Sequence, residues 1–384
     1  MSINNVIDLC CGCTVCADVC PLKAISLHTS DKGFLLPVVD SNTCIECGLC
    51  EKYCSIMNHD SIPFHTSKLV LAAKAKETTV LCSSQSGGAF YIIAKEFINK
   101  KGVVYGACLC DDFVTRHIRV DSVSALSKLQ STKYVQSDLK GIYSKVASDL
   151  SQYKVLFSGT PCQISGLIMY LKSQKVSTDH LLLCDVVCFG VPSPGVFADW
   201  IKVLQKSYRS KLQEVHFRDL DEKWGAAKEK YVFQNDQVIK GSMYTRWYFE
   251  NLITRESCHH CPFCISERVS DITLGDFWGI ENISKDHYDE RGVSLIMLNT
   301  GKAIELWESI KNEFISGRFS VEDAQKAQPR LRGENVSVSA EKRNSFWTKY
   351  KMNGCYSIAE EYEFVPKRIT VRVKKKLRKV FFGK

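Results

Sequence analysis

The sequence predicts a small α+β unit folded around bound metal, then a larger mixed α/β body and a basic tail. Three observations carry this. Cysteines are crowded and repeated within the first 54 residues. From residue 68 onward, strand-like and helix-like patterns alternate, the signature of an α/β layer. The stretch from Lys367 to Lys384 carries nine Lys or Arg and no acid.

The 384-residue chain holds 19 cysteines. Small secreted domains use cysteines as disulfide staples, but a chain long enough for a sizeable core does not need them. Met1 to Asn5 lacks the basic and apolar regions of a signal peptide. The longest apolar run, Leu181 to Val191, is interrupted by Asp185 and is too short to span a bilayer. Reduced thiols in a cytoplasmic setting point instead to metal ligation. The net charge of +9 is local, because outside the tail 42 basic residues balance 42 acidic ones. That balance argues against nucleic-acid binding by the body. The tail mixes cations with Val380, Phe381 and Phe382. It reads either as a peripheral contact with an anionic membrane or as a solvated terminus.

Residues 1–60 form the first unit. Cys10, Cys13, Cys16 and Cys20 recur as Cys44, Cys47, Cys50 and Cys54, each shifted by 34 residues. The run Cys10-x2-Cys13-x2-Cys16-x3-Cys20-Pro21 has the ligand spacing of two-cluster bacterial ferredoxins, in which the fourth cysteine serves the opposite cluster. On that crossover one 4Fe–4S cluster takes Cys10, Cys13, Cys16 and Cys54, and a second takes Cys44, Cys47, Cys50 and Cys20. Zinc, which needs two Cys-x2-Cys pairs per ion, does not explain two four-cysteine runs at matched spacing. The second run ends in Cys54-Ser55 rather than Cys-Pro, and Cys11 stands outside both runs as an unligated thiol. Between the runs, Ala24–His28 and Phe34–Val39 flank Asp31-Lys32-Gly33, which reads as a hairpin. The expected class here is an α+β ferredoxin-like domain, with residues 61–67 as a linker.

The body divides into residues 68–150 and 151–340, and residues 341–384 read as a helical or extended basic tail. Strands are expected at Leu69–Ala75, Gly102–Cys108, Tyr153–Ser158 and His180–Cys188, and helices at Gly87–Lys100, Gln163–Leu171 and Pro194–Gln205. A partly parallel sheet follows, with ligands gathered beyond the carboxyl ends of its strands. A second metal motif, Cys258-x2-Cys261-x2-Cys264, needs a fourth partner. Cys162, after Gly159-Thr160-Pro161, and Cys188, at the end of the next strand, both suit a site at that edge. Zinc with His259 or His260 is the alternative. The chain has no Cys-x3-Cys-x2-Cys triplet, no Gly-x-Gly-x-x-Gly turn and no phosphate loop with its lysine, so a nucleotide cofactor must be held another way.

Five segments of the body then carry a resemblance: Ser84–Gly88, Ser131–Ser137, Gly159–Ile164, Phe217–Asp219 and Asp271–Gly279. In this order they resemble the β subunit of coenzyme F420 hydrogenase/dehydrogenase, over roughly residues 1–320 with the first unit included. That family comprises flavin- and iron–sulfur-containing oxidoreductases, many of its bacterial members associated with surface-polysaccharide synthesis. The resemblance implies FAD and a flavin-binding body. Ser86, Gly87 and Gly88 before a helix then offer backbone N–H groups to phosphate. Lys133 and Arg218 neutralise the pyrophosphate, Tyr134, Phe217 or Trp224 covers the ring, and Gln136 and Ser137 complete the segment. Asp276, paired with Asp271, and His117 are the candidates for managing protons. The implied function is an enzyme passing electrons between ferredoxin-like carriers and an organic substrate. Two alternatives stand beside it: a non-catalytic electron-transfer subunit of a larger redox complex, and a reductase or dehydrogenase of coenzyme F420 itself. A ferredoxin-like donor or a redox subunit is the expected partner.

Overall fold

The computed structural model describes residues 3–361, so the basic stretch from Lys367 to Lys384 lies outside the described residues. In the first unit, β1 (Ile25–Thr29) and β2 (Leu35–Val39) form the expected antiparallel hairpin, with Ile25 opposite Val39 and Thr29 opposite Leu35. Each cysteine loop is followed by a short helix, Val15–Asp18 and then Leu49–Lys52. The 34-residue repeat is therefore written in the backbone as well. Left-handed φ angles at Gly12 (71°) and Thr14 (67°) recur at Glu46 (52°) and Gly48 (71°). This conformation costs a non-glycine residue on the order of 1 kcal/mol or more. Its persistence at Thr14 and Glu46 shows that the path of the loop, not local preference, sets it.

The body is built on an eight-stranded mixed sheet. Its strands are β3 (Leu69–Ala75), β4 (Val103–Leu109), β5 (Thr115–Val120), β6 (Val155–Gly159), β7 (Leu181–Val186), β11 (Ile272–Asp276), β12 (Ser294–Leu298) and β13 (Phe314–Phe319). The spatial order is β13-β3-β12-β11-β7-β6-β4-β5. The central β4, β6, β7 and β11 are parallel, and the flanking pairs are antiparallel. A smaller antiparallel sheet holds β8 (Leu212–His216), β9 (Glu229–Phe233) and β10 (Val238–Gly241).

Alternation along the strands sends side chains to two faces. Leu71, Ala73, Val104, Leu156 and Leu182 pack on one face with Ile92 and Ile93 of α1 (Ala89–Asn99). On the other, Val103, Tyr105, Val155, Phe157 and Leu183 pack with Ile164 and Leu167 of α2 (Pro161–Gln174). Cys13, Val15 and Val19 of the first unit belong to that same cluster, so the cysteine-rich segment borrows its core from the body. A further core gathers Trp200 of α3 (Pro194–Tyr208), Phe217, Trp247, and Phe346, Trp347 and Ile358 of α4 (Ala340–Glu361). The segment read as the start of a basic tail is thus a helix with a buried aromatic face. Among the described residues no helix is long and apolar enough to cross a membrane.

Gly87 lies where α1 leaves the sheet, its carbonyl accepting from Ala75 N at 2.8 Å. A Cβ there would collide with the backbone of Ala73 and Ser294. Gly87→Ala should therefore destabilise the protein by about 1–3 kcal/mol, the usual cost of overpacking. Thermal unfolding checks this, and an unchanged melting temperature would contradict the close approach.

Candidate functional site

Four parallel strands end at one edge of the sheet, and the segments beyond two of them carry Cys162 and Cys188. Thr160 to Cys162 follow β6, Val187 to Pro192 follow β7, and Phe277 to Gly279 follow β11. The first unit packs near this edge, so its cysteines and those of the body become neighbours.

Cys10, Cys13, Cys16 and Cys54 line one small enclosed cavity, walled by apolar groups such as Val15, Leu35 and Ile56. This is the set that the crossover assigned to the first cluster. Of the second set, Cys47 is exposed and Cys20, Cys44 and Cys50 are half-buried, and Cys20 Sγ accepts from Ala24 N at 3.2 Å. Cys258, Cys261 and Cys264 line another enclosed cavity, joined there by Cys162, Cys188 and Cys11. Both proposed fourth partners thus reach the third set. Cys11, read as a bystander, walls both this cavity and the first. Burial pushes the Cys188 thiol up to about 11 and the Cys258 thiol to about 12, so a bound cation is what would make thiolates of them. Among the described residues, no three His, Cys, Asp or Glu side chains converge closely enough to grip a single metal ion.

Two arginines test whether these sets suit an anionic cluster. Arg255, 3 % exposed, donates to Cys10 O at 2.6 Å, Leu35 O at 2.8 Å and Gln136 Oε1 at 2.8 Å, and reaches Cys10 Sγ at 3.7 Å. Arg330, 4 % exposed, lines the third cavity and donates to Cys188 O at 3.0 Å. Among the described residues neither has a carboxylate partner. A buried guanidinium without an anion costs several kcal/mol. A four-thiolate iron–sulfur cluster, negative overall, supplies the missing charge in each place, so the residues fit that group.

A large cavity, about 970 Å³, lies beside the third set and shares Val187, Cys188, Gly190 and Val191 with it. It gathers Ser86, Gly88, His117, Lys133, Tyr134, Ser137, Arg218 and Asp276 from segments far apart in the chain. Gly87 and Gln136 are not in its lining. Gly87 faces the sheet, and Gln136 turns to the first unit, where Nε2 donates to Cys11 O at 2.9 Å. Gln85, which sequence reasoning did not single out, joins three of the motif segments. It accepts from Thr132 N at 2.8 Å and donates to Arg218 O at 2.8 Å. Arg255 and Arg330 were also missed, since an isolated arginine carries no motif.

Charge in this cavity is uneven. Arg218 Nη2 bonds Asp276 Oδ2 at 2.8 Å, and Trp224 Nε1 donates to Asp276 Oδ1 at 3.2 Å. Asp271 is not beside Asp276. It sits just before β11 with Asp276 at the strand's far end, accepting from Leu183 N at 2.8 Å and Thr300 Oγ1 at 2.6 Å. The expected carboxylate pair is therefore corrected, because a strand separates its members. Lys133 has no carboxylate partner among the described residues, and burial pulls its ammonium down to about 8. His117 is buried and pulled down to about 4 by its apolar surroundings. Its Nε2–H donates to Ser158 O at 2.9 Å, which leaves Nδ1 to accept from Ser137 Oγ at 2.9 Å. Both ring nitrogens are thus engaged and the ring is held neutral, so proton exchange through it requires one of these bonds to open.

Three comparisons with known proteins find partial likenesses. Residues 152–326 match the family described as the C terminus of the coenzyme F420 hydrogenase/dehydrogenase beta subunit. The ferredoxin-type protein MauM of methylamine utilization from Methylobacillus flagellatus is 47 % identical over 48 residues, 11 % of this chain and 20 % of that protein. MauM from Paracoccus denitrificans is 40 % identical over 56 residues, 13 % of this chain and 25 % of that protein. The chain thus spans a quarter or less of the length of these curated relatives. A chain of the F420-reducing [NiFe] hydrogenase complex from Methanosarcina barkeri superposes with a TM-score of 0.47 at 14 % identity, covering 77 % of this chain and 92 % of that one.

Arg255→Ala would leave the oxygens of Cys10, Leu35 and Gln136 without their donor, at about 1–3 kcal/mol for each buried acceptor. The expected result is a lower melting temperature and a protease cut between residues 55 and 67 that the wild type resists. Unchanged stability and resistance would show that the first unit is held by other contacts.

Proposed function

We propose, from the premise that residues 152–326 belong to the coenzyme F420 hydrogenase/dehydrogenase beta-subunit family, that this chain is an iron–sulfur flavoprotein oxidoreductase acting on an organic substrate. One observation carries the reading. The cysteine-lined cavities and the large cavity are contiguous, the first and third sharing Cys11 and Ile56 and the third and large ones sharing Val187, Cys188, Gly190 and Val191. Cysteine-ligated clusters supply one-electron steps and a bound flavin two-electron steps, so together they connect a one-electron carrier to a two-electron substrate.

The residues take the following roles in this reading. Cys10, Cys13, Cys16 and Cys54 hold the first cluster. Cys20, Cys44, Cys47 and Cys50 hold the second, whose exposed Cys47 makes it the contact for a ferredoxin-like partner. Cys258, Cys261, Cys264 and Cys188 hold the third. Cys188 is preferred to Cys162 because Cys188 itself lines both the third cavity and the large one, whereas Cys162 lines only the third. In the large cavity, Ser86 and Gly88 at the start of α1, with Lys133, suit the phosphates of FAD. Tyr134, which packs against Tyr248 at 4.7 Å, offers an aromatic wall. Asp276, bridged to Arg218, orients rather than transfers, and His117 holds Ser137 in place. The cavity's size, ample for a dinucleotide and a small molecule together, favours an enzyme over a subunit that only conducts electrons.

Anaerobic purification with iron, sulfide and flavin analysis tests this. About twelve irons and one flavin per chain are expected, four irons for each cluster. Fewer than eight irons with no flavin would overturn the reading. Lys133 adds a pH signature. Below pH 8 its ammonium is charged and holds an anionic cofactor, and above pH 8 that attraction fades. Flavin retention should therefore weaken as pH rises through about 8 to 9. Lys133→Met should lower affinity roughly tenfold or more, the loss of one charge-assisted bond, and flatten the pH dependence.

A further inference from the structure

Two buried arginines line the third cysteine cavity, and they differ in one respect. Arg268, 2 % exposed, donates to Asp185 at 2.9 Å, and that carboxylate is itself fully buried. Its charge is cancelled where it stands. Among the described residues Arg330 bonds only neutral acceptors: Cys188 O at 3.0 Å, Glu334 O at 3.2 Å and Asn335 Oδ1 at 3.4 Å. The neighbouring carboxylate of Glu334 is turned outward to Arg332 at 2.6 Å. The Arg330 backbone also lies beside the third set, its carbonyl 3.0 Å from Cys264 Sγ. It sits in the tight turn Pro329–Arg332, where a proline limits the path of the chain. A full positive charge is thus fixed in the wall of the third cavity, against the Cys188 carbonyl.

We propose that Arg330 is the fixed counter-charge of the third iron–sulfur cluster, stabilising its reduced state and raising its midpoint potential above what burial alone would give. The inference rests on the proposed ligation of that site by Cys188, Cys258, Cys261 and Cys264. When the cluster accepts one electron from an external one-electron reductant, the iron is reduced, no bond is made or broken, and the site carries one more negative charge. In a low-dielectric surrounding that added charge is costly without a nearby cation. Burial and hydrogen bonding are the levers by which a protein sets a cluster's potential. Arg330 supplies both a charge and an N–H donor to the Cys188 loop. It is a tuning residue that acts through the ligands.

The test uses full-length protein purified anaerobically, with iron analysis and a mediated redox titration followed by electron paramagnetic resonance. The third cluster's signal is identified by its absence in Cys261→Ser. Wild type should carry about twelve irons, four for each cluster; eight would sink the third-site reading, and this proposal with it, before any arginine is changed. With the third cluster present, Arg330→Gln should move that midpoint to more negative potential and leave the other two in place. Arg330→Lys should keep most of the wild-type value, and the surface control Arg332→Gln should change nothing. Loss of four irons in Arg330→Gln but not in Arg330→Lys would also support the counter-charge. An unmoved midpoint in an iron-replete Arg330→Gln would overturn it. So would equal loss of iron in both variants, which would make the residue a packing element.

Discussion

A guanidinium buried between two halves of the molecule holds this structure together. Arg255 comes from the segment just before the third cysteine motif and reaches into the first unit, to the carbonyls of Cys10 and Leu35. Its remaining fork binds Gln136, which in turn holds Cys11 O. Arginine suits this task because its planar fork presents several donors in fixed directions, and it remains charged when buried. The close fit leaves no room beside it. Gly12 adopts a left-handed φ, and a Cβ there would press within 2.7 Å of the Arg255 fork. Other close contacts complete the attachment. Ser193 Oγ donates to Lys32 O at 2.6 Å, and the backbones of Gly33 and Gly195 touch at the hairpin's turn.

That attachment has a consequence for chemistry. The first cysteine set and the third come from segments far apart in the sequence, yet Cys11 and Ile56 wall both cavities. Electron transfer depends on fixed short separations between carriers, and a loosely tethered ferredoxin-like unit would not provide them. The shared core on the α2 side of the sheet, where Cys13, Val15 and Val19 meet Ile164 and Leu167, serves the same end. Gly166 on α2 matters here, because a side chain there would press on Cys13 and on the Tyr143 hydroxyl.

The two kinds of site differ in their electrostatics. The cysteine cavities are small and apolar, with one unneutralised arginine beside the first set and one beside the third. In the large cavity Arg218 is already neutralised by Asp276, while Lys133 has no carboxylate partner among the described residues. Buried cations without anions mark places where the fold alone is not electrically complete. Arg330 and Lys133 each line a cavity, and Arg255 reaches Cys10 Sγ at 3.7 Å, so in each place an anionic group would restore the balance.

The primary sequence by itself determined the main elements and named the candidate residues. Spacing within the cysteine runs is local, so the eight positions of the first unit, the hairpin between them and the strand–helix alternation of the body could be read from neighbouring residues. The motif segments of the body were legible too, and most of their candidates do line one cavity. Tertiary structure alone decided the rest. It assigned Gln136 to the first unit rather than the large cavity, separated Asp271 from Asp276 along a strand, and turned residues 340–361 into a packed helix. It also brought forward Arg255, Arg330 and Gln85. Their roles depend on partners more than a hundred residues away or on a burial that no local pattern records, and a single arginine in a sequence looks the same whether it meets water or a buried cysteine.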